Sequence, residues 1–246
     1  MSKRWIAFAN IIAKDVRAYY LKPPNISWGL IFPLAWAGMF LIRTGRGFED
    51  VYSILGGAVG IAILFGTTSM LAVIITFERR TRSFERLLLA PIPIWLLILS
   101  KITGAVMFGV AGAFVPIVLA SFVSDLSGIN WLALAAGIFL TAVASGLIGL
   151  IIAISVREVF EAQTISNLFR FPMVFLCGLF FPLEVLPLPL RVVSYGLPLT
   201  YGIDILQGAI RGTSLMPIGF DLLIITLFCM GLLVAALKTA NSKLII

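Results

Sequence analysis

The sequence predicts an all-α protein that crosses a membrane several times. Of its 246 residues, 61% are hydrophobic and only 12% are charged, far from the composition of a soluble globular domain. The apolar residues cluster in runs close to the roughly 20 residues with which a helix crosses a hydrocarbon core. Because a backbone in lipid must satisfy its own hydrogen bonds, these runs are expected to be helices. The sequence lacks the strict apolar–polar alternation of outer-membrane barrel strands.

Six apolar runs define the predicted spans of a single transmembrane domain, residues 1–246. A helix at residues 3–21 precedes them and is expected to lie on the membrane surface, because its apolar residues recur at helical spacing while Lys14 and Arg17 occupy another face. The segment 182–212 is apolar but broken by prolines, so we expect short helices that re-enter the outer leaflet. The predicted spans are about 26–42, 51–77, 102–123, 131–155, 163–181 and 218–237.

The distribution of basic residues predicts the orientation of the chain. Fourteen of the 18 Lys and Arg residues fall in the N-terminal arm, in residues 77–101, in residues 157–170 or in the C-terminal tail. The remaining basic residues are Arg43, Arg46, Arg191 and Arg211. Because basic residues concentrate in cytoplasmic loops, both termini are expected in the cytoplasm. The net charge of +7 therefore indicates orientation rather than a nucleic-acid partner.

The densest charged segment, Phe77–Lys101, joins the second and third predicted spans. Ionised side chains are costly at mid-bilayer, so this segment is expected at a water-facing junction. Phe84, Leu87 and Leu88 share one helical face, and Pro91 stops the helix. The segment therefore predicts a short amphipathic helix on the membrane surface.

Two interpretations of this helix remain open from the residues alone. Glu78 and Arg82 lie four residues apart in the order that favours an ion pair, which would place both on its polar face. The plainer interpretation gives the segment no partner, because charged loops between spans are often solvated turns that only set topology.

A second charged junction follows the fourth span and consists of Arg157, Glu158 and Glu161.

The residue types needed for catalysis or metal binding are missing from the sequence. It has no histidine and no Gly-x-x-x-x-Gly-Lys-Ser/Thr motif, so we expect no catalytic, cofactor-binding or metal site in this chain. Arg170 and Asp221 are placed near span ends, and the span cores are otherwise free of ionisable residues. Carriers driven by ion gradients place such residues at mid-membrane, so an external energy source is expected. Cys177 and Cys229 are interpreted as packing residues.

Three segments, in this order, resemble the permease subunit of type-2 ATP-binding-cassette (ABC) exporters, in particular the drug- and lipid-type branch. The first resembles the coupling helix of that family and the third its outer helices. One departure from the family pattern is the second basic residue, Arg80, together with Thr81-Arg82-Ser83, where many relatives carry glycine, and it leaves the start of the coupling helix open. The first segment is Phe77–Lys101. The second is Glu161-Ala162 leading into the fifth span, which ends in Gly178–Pro182 with Leu186-Pro187 next. The third is Leu197–Tyr201 with Asp204 and Arg211.

The resemblance implies a function and a set of partners. The coupling segment, Glu78–Pro91, would dock on a separate ATPase subunit, present in two copies, which would carry ATP and Mg²⁺. A second permease chain, identical or paralogous, would complete a path for exporting an amphipathic, drug-like or lipid-like cargo. The location would be the plasma membrane of a prokaryote. The alternative is a membrane scaffold or assembly module that transports nothing.

The resemblance also implies roles for particular residues. Phe84, Leu87 and Leu88 would face the body of the membrane domain, while Arg79, Arg80 and Arg86 would make polar contacts with the ATPase. The full set expected to couple to the ATPase is Glu78, Arg79, Arg80, Arg82, Glu85, Arg86, Leu88 and Pro91. The residues expected along the path are Thr67, Thr68, Phe175, Phe180 and Phe181.

Overall fold

The computed structural model describes residues 3–22, 31–44 and 51–244. The all-helical prediction is confirmed for these residues, among which there is no strand. Helix α1 is Lys3–Asp15 and continues through a π-helical turn, Val16–Tyr20. The other helices are α2 Phe32–Thr44, α3 Val51–Arg80, α4 Ser83–Leu88, α5 Ile94–Ser121, α6 Trp131–Ser155, α7 Val159–Leu176, α8 Leu188–Tyr195, α9 Pro198–Arg211 and α10 Ile218–Leu244.

Four of the described helices are long and apolar enough to cross a membrane: α3, α5, α6 and α10. The predicted spans 51–77, 131–155 and 218–237 each lie within one of them. The first part of the predicted span 26–42 lies outside the described residues, and α2 has 13 residues. Helix α7 has 18 residues and covers most of the predicted fifth span. The six-span layout therefore remains a prediction.

Helix α3 forms the centre of the bundle. In the most apolar 18-residue stretch of α3, 89% of the residues are buried inside the chain. In the most apolar stretch of α10 the buried share is 22%. The exposed residues of α10 include Leu223, Leu227 and Val234. Helix α10 is therefore a peripheral helix of the bundle, and its exposed face is apolar, which a membrane environment tolerates.

A π-helical segment, Phe65–Ser69, interrupts the α-helical pattern in the middle of α3. The Thr68 hydroxyl donates a hydrogen bond to the Ser145 carbonyl of α6, at 3.1 Å, rather than to a carbonyl of its own helix. Helix α6 can approach this closely because it has a glycine at the contact. A Cβ atom on Gly149 would lie 2.6 Å from the Thr68 carbonyl oxygen. The break in helical pattern thus fixes α3 against α6 by both packing and hydrogen bonding.

The predicted outer segment forms a short 3₁₀ turn, Leu183–Val185, followed by α8 and α9. Helix α9 is buried along most of its length and packs over Gly56 and Gly60 of α3. Asp204 of α9 accepts hydrogen bonds from the backbone N–H groups of Leu215 and Met216, at 2.8 and 3.0 Å. These contacts make α9 an integral part of one end of the bundle, here called the far end.

Helix α5 begins at Ile94, eight residues before the start of the predicted third span at residue 102. The boundary was predicted from Lys101, because a charge normally marks the end of a span. The structure instead places Lys101 in the second turn of α5 with 1% of its side chain exposed. Its charge is balanced by carboxylates from other helices, which allows the helix to continue past it.

Candidate functional site

The coupling segment lies at the end of the bundle opposite the far end, here called the junction end. Helix α3 stops at Arg80, and Thr81 and Arg82 form a turn before α4. Arg82 adopts a left-handed conformation, with φ at +55°, which favours glycine, and it is the only residue other than glycine with a positive φ in the described part of the chain. The Thr81 hydroxyl lies 2.6 Å from that of Ser83 and also donates to the Phe77 carbonyl. The turn is thus held without glycine.

The two faces of α4 have different environments. Phe84 is 3% exposed and packs into the main core, with Leu87 and Leu88 half-buried beside it. Glu85 and Arg86 are exposed on the other side, and Leu89, directly after the helix, is 85% exposed. This division agrees with the apolar face predicted from spacing. Helix α4 is therefore anchored by one side and offers a charged side to a partner or to water.

Glu78 does not lie on that exposed side. Its side chain is fully buried and contacts the ammonium groups of Lys14 and Lys101. The predicted ion pair with Arg82 is wrong, because α3 ends at Arg80 and Arg82 lies in the exposed turn. Two lysines from α1 and α5 compensate the carboxylate instead. Glu78 thus supports the junction from within.

Four charged side chains close into a ring, here called the ion ring: Lys14 and Asp15 of α1, Glu78 of α3 and Lys101 of α5. Lys101 Nζ lies 3.0 and 2.8 Å from the two oxygens of Asp15, and 2.6 Å from Glu78 Oε2. Lys14 contacts the same two carboxylates, at 3.0 Å from Asp15 Oδ1. Only Lys14 reaches water, with 39% of its side chain exposed. The ring has no net charge and joins three helices.

The ring changes the titration of the residues around it. Partial burial alone would lower the pKa of Lys14, but its hydrogen bond and charge interaction with Glu78, together with Asp15, raise the pKa above its ordinary value. Burial raises the pKa of the Tyr20 phenol well above its usual value, and the charges of Asp15 and Glu78 add to this effect. Lys14 therefore stays charged and Tyr20 neutral throughout the physiological range.

Arg79, the next residue after Glu78, is occupied by a contact within the chain. Its guanidinium donates to the carbonyls of Ala153 and Val156, at 3.4 and 3.1 Å. These carbonyls lie at the C-terminal end of α6, where backbone acceptors have no partner in their own helix. Arg80 is exposed and has no such contact among the described residues. The two neighbouring arginines, predicted to act alike, therefore have different environments.

The second junction lies next to this contact. Glu158 and Glu161 form a reciprocal capping box at the start of α7, in which each carboxylate satisfies a backbone N–H. Arg157 is exposed, and Phe160 is 82% exposed. Val156 and Ala162 are buried against Ala72 of α3, so the α6–α7 connection and the end of α3 pack together. The structure thus brings the two predicted charged junctions to one end of the bundle.

The residues predicted along the path fall into two groups. Thr67 and Thr68 are fully buried, and Thr67 donates to the Ile63 carbonyl of its own helix. They stabilise the bundle and do not line an open surface in this chain. Phe175 and Phe181 are about half exposed, and Phe175 stacks on Phe180 with ring centres 4.9 Å apart. Only the aromatic group lies where a second chain or a cargo could contact it.

Arg170 lies deeper than the sequence suggested. It is eleven residues from the start of α7, about 16 Å along the helix at ~1.5 Å per residue. Its guanidinium is 4.4 Å from the centre of the Phe65 ring and bonds to Ser166 and Asn167 of its own helix. Arg170 is also six residues from the other end of the helix, at Leu176, and its side chain is 2% exposed. A ring face and neighbouring polar groups, rather than water, surround the cation.

Three members of the ion ring were not identified as functional by sequence reasoning: Lys14, Asp15 and Lys101. Lys14 was placed on the polar face of a membrane-surface helix, and Lys101 at the end of the charged segment between two spans. One signal was available, namely an acidic residue, Asp15, adjoining the apolar face of a surface helix that is otherwise basic. That signal does not identify the partners, because Glu78 and Lys101 are 63 and 86 residues away from Asp15 in the chain.

Comparison with known proteins gives a consistent family match. Residues 7–210 match the family described as "ABC-2 type transporter". The chain is 23% identical over 222 residues to the inner membrane transport permease YadH of Escherichia coli strain K12, an alignment covering 87% of this chain and 86% of that protein. The permeases of the same name from Escherichia coli O157:H7 and Shigella flexneri give the same values.

Proposed function

The chain belongs to the ABC-2 type transporter family, and we propose that it is the membrane-spanning subunit of an ATP-driven exporter. As an ABC-2 permease subunit it is a non-catalytic component of a multi-pass plasma-membrane transporter. The energy would come from a separate ATPase subunit, in two copies, that binds ATP and Mg²⁺. Both termini and the junction end would face the cytoplasm of a prokaryote, as the basic residues predict.

The exposed face of α4 is the observation that carries this proposal. Phe84 fixes the helix to the core, while Glu85, Arg86 and Leu89 remain exposed. A solvated turn that only reversed the chain would not need a buried aromatic anchor and a buried ion ring behind it. A helix held in this way can transmit displacement to the bundle when an ATPase moves. Arg80 and the second junction extend the same surface.

The aromatic face of α7 supports the proposal of a second permease chain. Leu168, Phe171 and Phe175 are each about half exposed or more, on a helix whose opposite face is buried. A translocation path needs walls on more than one side, and a second copy placed against α7 would supply them. An identical or paralogous chain would satisfy this requirement.

The proposed cargo is an amphipathic molecule of drug-like or lipid-like character. The exposed positions of α7 and of the segment following it are mostly aromatic or aliphatic, which favours apolar contact over ion coordination. The outward direction of transport follows from the family resemblance.

Reconstitution separates this function from a scaffold role. The chain would be purified with its ATPase and placed in proteoliposomes with a fluorescent phospholipid and, separately, an amphipathic dye. ATP-dependent movement of either probe, abolished by an ATPase variant that binds but does not hydrolyse ATP, is the expected result. A stable complex that moves neither probe at any ATP concentration would support the scaffold, and failure to retain any ATPase would contradict the permease assignment.

A further inference from the structure

The ion ring connects the coupling segment to two helices outside it. We propose that Asp15 is a positioning residue that makes α1, the end of α3 and the start of α5 move as one body. The proposal deepens the proposed function, because it concerns how displacement of α4 reaches the rest of the chain. It assigns the surface helix α1 a mechanical role rather than one of lipid attachment alone.

The pattern of contacts in the ring supports this role. Each lysine contacts both carboxylates and each carboxylate contacts both lysines, so positive and negative groups alternate. Removal of any one member leaves a net charge among the remaining three. Asp15, Glu78 and Lys101 are each exposed by 1% or less, so water cannot replace the missing partner. The arrangement is stable only while the three helices keep their positions.

A second contact between α1 and α5 lies beside the ring. The Tyr20 ring stacks on Phe108 of α5, with ring centres 5.2 Å apart. It also covers Gly104, where an added Cβ would lie 3.4 Å from the Tyr20 ring. Tyr20 itself is 1% exposed. Polar and aromatic contacts therefore fix α1 to α5 over more than one helical turn.

The ring and α4 are separated only by the last turn of α3 and a short turn. Glu78 lies two residues before the end of α3, and α4 starts three residues after that end. A displacement of α4 that moved Glu78 alone would separate it from the ammonium groups of Lys14 and the buried Lys101. Moving α1 and α5 with it keeps every ion pair intact. Joint movement leaves no unpaired charge in the interior, so α1, the end of α3 and the start of α5 are expected to move together.

Asp15 is the member best suited to test this proposal. Glu78 belongs to the coupling segment, so a change there would alter docking and transmission at once. Asp15 lies on another helix, is 1% exposed and does not face the proposed ATPase. Asp15→Asn removes the charge with little change in shape. Asp125→Asn is the matched control, because Asp125 lies in an exposed turn with Ser127 at the far end.

The measurement is the distance distribution between spin labels on Ala18 of α1 and Thr81 after α3, both exposed positions. Cys177 and Cys229 are first replaced, and labelled chains are diluted with unlabelled ones in lipid nanodiscs. Without any ATPase, we expect one narrow distribution in the parent and in Asp125→Asn, and a broader one in Asp15→Asn. Equal widths in all three proteins would overturn the proposal. This arm does not depend on whether an ATPase binds.

The second arm adds the ATPase complex with ATP and vanadate. The Ala18–Thr81 distance should stay unchanged in the parent, because the labelled elements move together, and should shift in Asp15→Asn. A shift in the parent would overturn the proposal, even if docking and transport are normal. If Asp15→Asn does not fold, Asp15→Glu must keep the narrow distribution. A second variant reverses all four charges: Lys14→Glu, Asp15→Lys, Glu78→Lys and Lys101→Glu. Because positive and negative groups still alternate around the ring, this variant must also give the narrow distribution.

Discussion

Lys101 and Glu78 form a buried ion pair, with Nζ 2.6 Å from Oε2, that joins the second turn of α5 to the last turn of α3. The pair lies where a water-facing loop was expected from the sequence. It shows that the charges at the junction end have two roles. Some are exposed on α4, and others lie behind it and fix the helices that support it.

Lys101→Met should destabilise the protein strongly. The change leaves Asp15 and Glu78 buried with Lys14 as their only cation, and breaking a buried pair from one side costs about 3–5 kcal/mol. The melting temperature in detergent should fall clearly. Lys238→Met is the control, because Lys238 is exposed on α10, and it should leave the melting temperature unchanged. Similar melting of both variants would contradict the ion ring.

Arg79→Ala and Arg80→Ala should differ although the residues are adjacent. Arg79 donates to two carbonyls at the end of α6, and losing hydrogen bonds from a charged donor costs about 1.5–3 kcal/mol. Arg80 is exposed, so its loss should change the free energy of unfolding by about 0.5 kcal/mol or less. Thermal unfolding of the purified chain measures both. Equal effects would show that the contact with α6 is not formed.

Single cysteines should reveal the orientation of the two ends. In a chain lacking Cys177 and Cys229, a cysteine replacing Ser127 at the far end should react with a membrane-impermeant maleimide on intact cells. A cysteine replacing Arg82 should react only after the cells are permeabilised, since basic residues mark the cytoplasmic side. The reverse labelling pattern would invert the proposed topology.

Cysteines introduced at Phe175 should form cross-links between two permease chains. Phe175 is half exposed on the aromatic face of α7, which is proposed to border the path. A cysteine replacing Leu223 on the exposed side of α10 provides the comparison. A dimer band from the Phe175 variant and none from the Leu223 variant is expected on a non-reducing gel. Cross-links only at α10 would require a different assembly.

Local sequence patterns predicted the helices and the two faces of α4 well. Residues 131–155 were predicted as a span and form α6 with the same bounds, because an apolar run between a polar turn and a charged junction is a strong local signal. Helical spacing placed Phe84 on the apolar face of α4, and the family resemblance implied that this face lies against the membrane domain. These features depend on residues close together in the chain, so periodicity was sufficient to find them.

The ion ring and the depth of Arg170 could not be predicted in the same way. Asp15 and Lys101 are 86 residues apart, and each alone resembles a surface charge. Arg170 is accommodated by the ring of Phe65 on another helix, a contact that no local pattern reveals. Thr67 and Thr68 were expected along the path from the family resemblance, whereas the packing of α6 on α3 determines that they are buried.

The most direct test of the coupling account is retention of the ATPase by charge-reversed chains. Glu85→Arg and Arg86→Glu each place the wrong charge on the exposed face of α4, which at a protein interface costs about 2–5 kcal/mol. Both should lose ATPase on an affinity column while their melting temperatures stay near that of the parent. Glu184→Arg, the same change on an exposed residue of the other end, should retain it. Normal ATPase retention by both α4 variants would contradict the account and make this segment an ordinary solvated turn.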